Sequence, residues 1–362
     1  MAPSGHVPGS RVPSPAGGAP LAGDAPPAGA PAVPAPAVLC PFPPRISPHA
    51  LRLQRYADGW ATRHGFLPTV PARAAFSRAR FAYLMARAYP DADYADLRLA
   101  VSWLTFTFAL DDQLETVLGR SPDRQRNLAE RLVGYLAGDH AAHGLEGPLA
   151  TALADVWGRT LARTGPAWRE RFVSHVGQYL AGNAWEADNR SQGRVPSVAE
   201  YVRMRRHTAA TAMFFDLVEA FTDGREASTG PGERGTSAGS GGAGDRSATP
   251  DDRAALAPLR RHADNAVAWF NDLVSWPKEA AGGDPHNLVL VVRHERDRSL
   301  ADAVREVTDR HDREVRAFLA ARDVLPDRPA VRRAATGLAH WIRANVDWSH
   351  ETGRYAPADP RG

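Results

Sequence analysis

From about residue 45 to residue 356 the apolar residues recur at the spacing of amphipathic helices, and no stretch of four to eight residues alternates cleanly between turn signals. Such a chain buries its apolar faces helix against helix. The expected fold class is therefore all-α, a single helical bundle whose long helices turn their inward faces onto a central apolar cavity. The spacing predicts helices over residues 73–89 (ended by Pro90), 93–118, 122–136, 147–163 and 166–189. Ser197 with Glu200 forms a capping-box pattern for a helix over 197–221. Asp251 and Asp252 can cap another over 251–278, and two or three more fill 285–348.

Two segments lack that period. Residues 1–44 hold 13 of the chain's 30 prolines among Ala and Gly, too little apolar surface to offset the entropy of ordering, and read as a disordered tail. Residues 223–250 carry 8 glycines among Ser, Thr and Arg and read as a flexible insertion, because helical patterns continue on both sides. One domain over 45–356, with a short tail at 357–362, is the expected organisation.

Composition excludes several classes of function. Forty-four basic residues against 41 acidic ones leave a net charge of +3, a near-balance that does not indicate nucleic acid. Cys40 is the only cysteine, which excludes an internal disulfide or a Cys-rich metal site and suits a reduced, cytoplasmic setting. No run of about 18 apolar residues exists, so no membrane span is expected, and the first residues lack the apolar segment of a secretory signal. Of the 44 basic residues a single one, Lys278, is lysine.

The segment DDQLE ends a strongly apolar helical run. On a helix Leu104, Phe108, Asp111 and Glu115 share one face, while Asp112 is rotated by about 100°. Acids that continue an apolar stripe, instead of opposing it, suggest carboxylates at the mouth of an apolar cavity. Carboxylates so close raise each other's pKa unless cations neutralise them. Hard divalent ions, Mg²⁺ above all, suit them when a substrate phosphate completes the shell.

The segment NDLVSWPKE supplies a second oxygen-rich face. Asn271, Ser275 and Glu279 are spaced i, i+4, i+8, so an amide oxygen, a hydroxyl and a carboxylate can converge on one cation. Lys278 beside them offers a compact ammonium to a phosphate oxygen. Pro277 is expected to kink or end the helix before Glu279.

Together DDQLE and NDLVSWPKE resemble the aspartate-rich and NSE/DTE metal-binding motifs of bacterial class I terpene synthases, in the usual order. The stretch AWEADNRSQGRVPSVAEYVRMRRHT looks like the one that carries that family's diphosphate-sensing Arg, and DWSHETGRY looks like its C-terminal Arg-Tyr pair; the likeness spans roughly 45–356. The resemblance implies three Mg²⁺ ions: Asp111 bridging two, with Asp112 and Glu115 in supporting roles, and Asn271, Ser275 and Glu279 holding the third. It implies Arg206 as the sensor, with Arg205 as the alternative, and Lys278, Arg354 and Tyr355 as further donors to the diphosphate. Glu115 stands where the commonest form of the family has Asp, and Ala209 and Ala210 stand where it often has the Gly of its effector carbonyl.

The implied reaction is ionisation of a linear all-trans prenyl diphosphate and cyclisation of the carbocation. Farnesyl diphosphate is favoured, geranylgeranyl diphosphate is second, and the protein acts as a monomer or homodimer. A carbocation needs a dry, π-rich wall, for which Phe108, Phe81, Phe214 and Trp348 are candidates. The rivals are a prenyl-chain-elongating synthase, which needs a second Asp-rich motif, and a helical binding protein without turnover. A class II cyclase needs a DxDD motif, which the chain lacks.

Overall fold

A computed structural model of the chain describes residues 36–116, 118, 121–139, 146–223 and 248–355, and among them there are thirteen helices and no strand. In chain order these are α1 (Ala50–Arg63), α2 (Val70–Ala79), α3 (Phe81–Ala88), α4 (Tyr94–Thr116), α5 (Pro122–Leu136), α6 (Gly147–Leu161) and α7 (Pro166–Gln192). There follow α8 (Val198–Thr208), α9 (Thr211–Asp223), α10 (Pro250–Gly282), α11 (Leu288–Arg296), α12 (Leu300–Asp323) and α13 (Pro329–Glu351). Residues 1–35, 357–362 and most of 223–250 lie outside the described residues.

Helices α4 to α8 and α10 start within one residue of where the sequence predicts. Ser197 and Glu200 close the expected capping box on α8. On α10 the cap is Thr249, with Asp252 as its reciprocal partner, instead of Asp251 or Asp252 alone. Asn287 and Ser299 cap α11 and α12 by accepting from Val289 and Asp302 backbone N–H groups. α10, at 33 residues, is the longest helix. It packs along α12 and α13 and also touches α8, α9 and α11, burying Trp269, Phe270, Leu273 and Trp276.

Four departures from the sequence reading matter. The helix predicted over 73–89 breaks at Arg80, which takes a left-handed conformation (φ 53°). The carbonyl of Ala79, lost to the helix, accepts instead from Trp348 Nε1 and Thr352 Oγ1, each at 2.8 Å. The helix over 197–221 breaks at Ala210 (φ 57°), dividing α8 from α9. Pro277 does not end α10, which continues to Gly282 and closes on left-handed Gly283; packing along its flanks outweighs the one hydrogen bond that proline removes. Last, the composition predicts a tail through residue 44, but residues 36–44 lie along the bundle. Leu39 N donates to Asp312 at 2.8 Å, and buried Phe42 meets Phe318 edge-on at 5.5 Å, because the few apolar residues among the prolines find a groove to fill. Among the described residues no helix is long and apolar enough to cross a membrane.

Candidate active site

The last turns of α4 deliver the first acidic face as its sequence spacing implies. Asp111 follows half-buried Phe108, Glu115 opens outward, and Asp112 is exposed on the flank. Tyr179 of α7 donates to Asp111 Oδ1 at 3.1 Å. Burial pushes the Asp111 carboxyl up, with Glu186 and Asp112 adding to it, while Arg354 and the Tyr179 hydroxyl pull it back. Glu115 is pushed up to about 7, first by desolvation and then by the Asp111 charge, with Lys278 opposing.

The second face lies on α10 and is tied from several sides. Arg205 Nη2 donates to Asn271 Oδ1 at 2.8 Å, and Asn271 Nδ2 donates to the Tyr355 hydroxyl at 2.6 Å. Asn287, the cap of α11, donates to Glu279 Oε2 at 2.6 Å and lies 3.3 Å from Ser275 Oγ. One amide thus marks the point on which Ser275 and Glu279 converge. Desolvation, together with Asp272, pushes Glu279 up to about 8. Asp272 is fully buried, accepting from Tyr201 at 3.0 Å, Leu288 N at 3.0 Å and Arg205 Nε at 2.9 Å. These bonds hold α10 to α8 and α11 at the level of the site.

The C-terminal pair folds back over both faces. Gly353 N donates to Arg78 O at 2.9 Å, and a Cβ on Gly353 would come within 3.1 Å of Arg78 Cβ, so the close approach depends on glycine. The turn aims Arg354 over the Phe108 ring at 4.3 Å, with Phe81 at 5.8 Å. Burial pushes the Tyr355 hydroxyl up to about 12, so it is a neutral donor. Phe81 and Phe108 stack at 4.2 Å and Trp348 lies 6.0 Å from Phe81, giving a π-rich column directly beneath the charged mouth. Phe214 does not join it. Its ring packs 5.5 Å from Trp341, and its carbonyl accepts from Tyr89, in a separate aromatic cluster.

The arginine pair of α8 divides its roles. Arg205 is committed to Asn271 and Asp272, whereas half-buried Arg206 has no hydrogen bond or ion pair among the described residues. Of the two alanines at the α8–α9 junction, Ala210 is the left-handed one and Ala209 is helical.

Sequence reading missed part of the site. Tyr179, Glu186 and Arg190 follow helical spacing along α7, the last two within the WEADNR stretch. Burial pushes Glu186 up. Asp284 is held down at about 2 because, against burial, His286 hydrogen-bonds to it and Arg190 faces it. Asn287 carried no such signal, since nothing in its spacing ties it to Glu279.

The donor chemistry fits a hard divalent cation: carboxylate, amide and hydroxyl oxygens, with Glu115 and Glu279 raised first by desolvation and then by the neighbouring Asp111 and Asp272 charges. Among the described residues no three His, Cys, Asp or Glu side chains form a ready-made cation cage. Open sets of this kind take their remaining ligands from a substrate or water.

A family described as terpene synthase family 2, C-terminal metal binding, matches residues 102–317, which span both oxygen-rich faces. The chain is 36% identical over 324 residues to a (+)-T-muurolol synthase, named as cyclising (2E,6E)-farnesyl diphosphate, from Roseiflexus castenholzii, covering 88% of this chain and 92% of that one. It is 35% identical to a 10-epi-cubebol synthase of Sorangium cellulosum, covering 89% and 98%. Among solved structures, germacradien-4-ol synthase from Streptomyces citricolor superposes with a TM-score of 0.71 at 27% identity, covering 88% of this chain and 99% of that one.

Proposed function

The chain belongs to the bacterial class I terpene synthase family, and from that membership we propose that it is a Mg²⁺-dependent cyclase of farnesyl diphosphate, with geranylgeranyl diphosphate as the second candidate. The observation that carries this reading is the junction of charge and aromatic surface at Arg354. Its guanidinium lies on the Phe108 ring, on the face of α4 that carries Asp111 and Glu115, at the border where a diphosphate would end and a hydrocarbon chain begin.

Asp111, with Asp112 and Glu115 in support, would hold cations on α4, and Asn271, Ser275 and Glu279 would hold one on α10. Three Mg²⁺ ions would supply Lewis-acid stabilisation of the leaving diphosphate. The chain's own donors act on the same oxygens. Lys278, Arg206, Arg354 and Tyr355 would hydrogen-bond to the diphosphate and favour its charge as the allylic C–O bond breaks, with the electron pair leaving on oxygen. Phe81, Phe108 and Trp348 would face the resulting cation with π-electron density and exclude water. Attack by a distal double bond closes the ring, and loss of a proton or capture of water ends the reaction. We assign Phe214 to the core and not to this wall.

Incubation of the purified protein with C10, C15 and C20 all-trans diphosphates and Mg²⁺, analysed by gas chromatography with mass detection, tests the reading. A cyclic C15 hydrocarbon or alcohol with stoichiometric diphosphate is the expected result, and it disappears on chelation. No turnover of any of the three substrates overturns it.

A further inference from the structure

Asp264 is a buried carboxylate that the proposed reaction does not use, only 8% exposed. It lies seven residues before Asn271, so both occupy nearly the same face of α10, about 10 Å apart along its axis. Its carboxylate accepts from the hydroxyl of Thr211, the first residue of α9. Thr211 directly follows Ala210, whose left-handed conformation is unfavourable for a residue with a Cβ and persists only where the surroundings enforce it. One turn earlier on α10, Arg260 donates to Ala212 O at 3.2 Å and to Asp216 at 2.7 Å. Two side chains of α10 therefore clamp the first turns of α9. When ionised, Asp264 also places negative charge at the N-terminal end of α9, where the helix dipole favours it. On the other side of the break, Arg206 lies four residues before Ala210, in the last turn of α8.

We propose that Asp264 is a positioning residue for the ionisation step: it fixes the left-handed break at Ala210 and, through that break, holds the backbone that carries Arg206 ready for a diphosphate. The proposal rests on the assignment of Arg206 as a diphosphate donor. Arg205 cannot take that part without releasing Asn271 and Asp272. Arg206, with no other partner among the described residues, can turn to a ligand while Asp264 and Thr211 keep its backbone in place.

The test is a double-mutant cycle of Asp264→Asn and Arg206→Ala with farnesyl diphosphate and Mg²⁺, read as kcat and KM separately, with the melting temperature and the binding of inorganic diphosphate followed by calorimetry. Asp264→Asn should lower kcat about 10- to 100-fold, the effect of a charge-assisted hydrogen bond, with KM changed less. It should weaken diphosphate binding in the wild-type background but add nothing in the Arg206→Ala background. Thr211→Val should reproduce part of the kcat loss and serves where Asp264→Asn folds poorly. Wild-type kcat in Asp264→Asn, or losses that multiply with Arg206→Ala, overturn the proposal. Wild-type kinetics in Arg206→Ala alone instead remove the assignment of Arg206, and the proposal falls with it.

Discussion

At the end of α4, Asp111 accepts a hydrogen bond from Tyr179 and Glu115 opens to solvent with its carboxyl raised to about 7. On α10, Asn271 exchanges hydrogen bonds with Arg205 and Tyr355, and Glu279 accepts from Asn287. The second face is held by donors from α8, α11 and the C-terminal turn before any ligand arrives. On the first, Tyr179 holds Asp111, while Glu115 has no hydrogen bond or ion pair among the described residues. A preassembled set contributes orientation, and a loose one contributes closure when the substrate brings its own charge. The α10 face should therefore tolerate substitution least.

Asn271→Ala is the largest expected effect. It removes a candidate ligand and the bridge between Arg205 and Tyr355, so kcat/KM should fall by about 10³-fold, the range seen when a preorganised electrostatic contact is lost. Arg205 keeps Asp272, so the helical circular dichroism should be unchanged. Activity within tenfold of wild type would dissolve the contrast between the two faces.

Next comes a matched pair. Glu279→Gln and Glu115→Gln each delete one charge at nearly constant shape. The locked carboxylate should cost about 100-fold in kcat and the open one about tenfold, because water or a neighbouring acid can stand in at the mouth. Equal losses would show that both faces are assembled only with substrate.

The same contrast explains what could be read in the sequence. Asp111 and Glu115 share a face by helical arithmetic alone, and so do Asn271, Ser275 and Glu279; those positions came out as the spacing predicts. Pro277 was misleading, because local propensity argues for a break that packing overrides. The breaks at Arg80 and Ala210 were invisible, since neither is a glycine and each is enforced by distant partners: Trp348 and Thr352 for one, Asp264 and Arg260 for the other. Asn287 was invisible for a similar reason. It reaches Glu279 only after the chain has turned at Gly283, and periodicity carries no information across a turn. Phe42, among prolines, shows composition failing in the opposite direction.

Tyr179→Phe tests the loose face more finely. Deleting the hydroxyl leaves the packing and removes a donor from Asp111, so kcat should fall about fivefold, the worth of one ordinary hydrogen bond. Measured over a Mg²⁺ titration, the loss should shrink at high metal concentration if cations organise this face. A loss independent of metal would mean that Tyr179 positions Asp111 as rigidly as Arg205 positions Asn271.

The smallest effect concerns stability, away from the ligands, two turns earlier on α10. Burial pushes Asp264 up to about 7 against the pull of the Thr211 hydroxyl and the charges of Arg206, Arg260 and Arg205. A carboxyl whose pKa is higher folded than unfolded binds its proton more tightly in the native state. Its contribution is complete below the unfolded value of 3.8 and is lost as pH rises through 7. Metal-free protein should therefore lose melting temperature between pH 4 and 7 from this group, and Glu115 and Glu279 act in the same direction. Asp264→Asn cannot ionise but still accepts from Thr211, so its melting temperature should fall less over that range, by about 6 °C. Parallel curves for the two proteins would mean that the carboxyl titrates near its ordinary value, and that α10 is as well neutralised at Asp264 as it is held at Asn271.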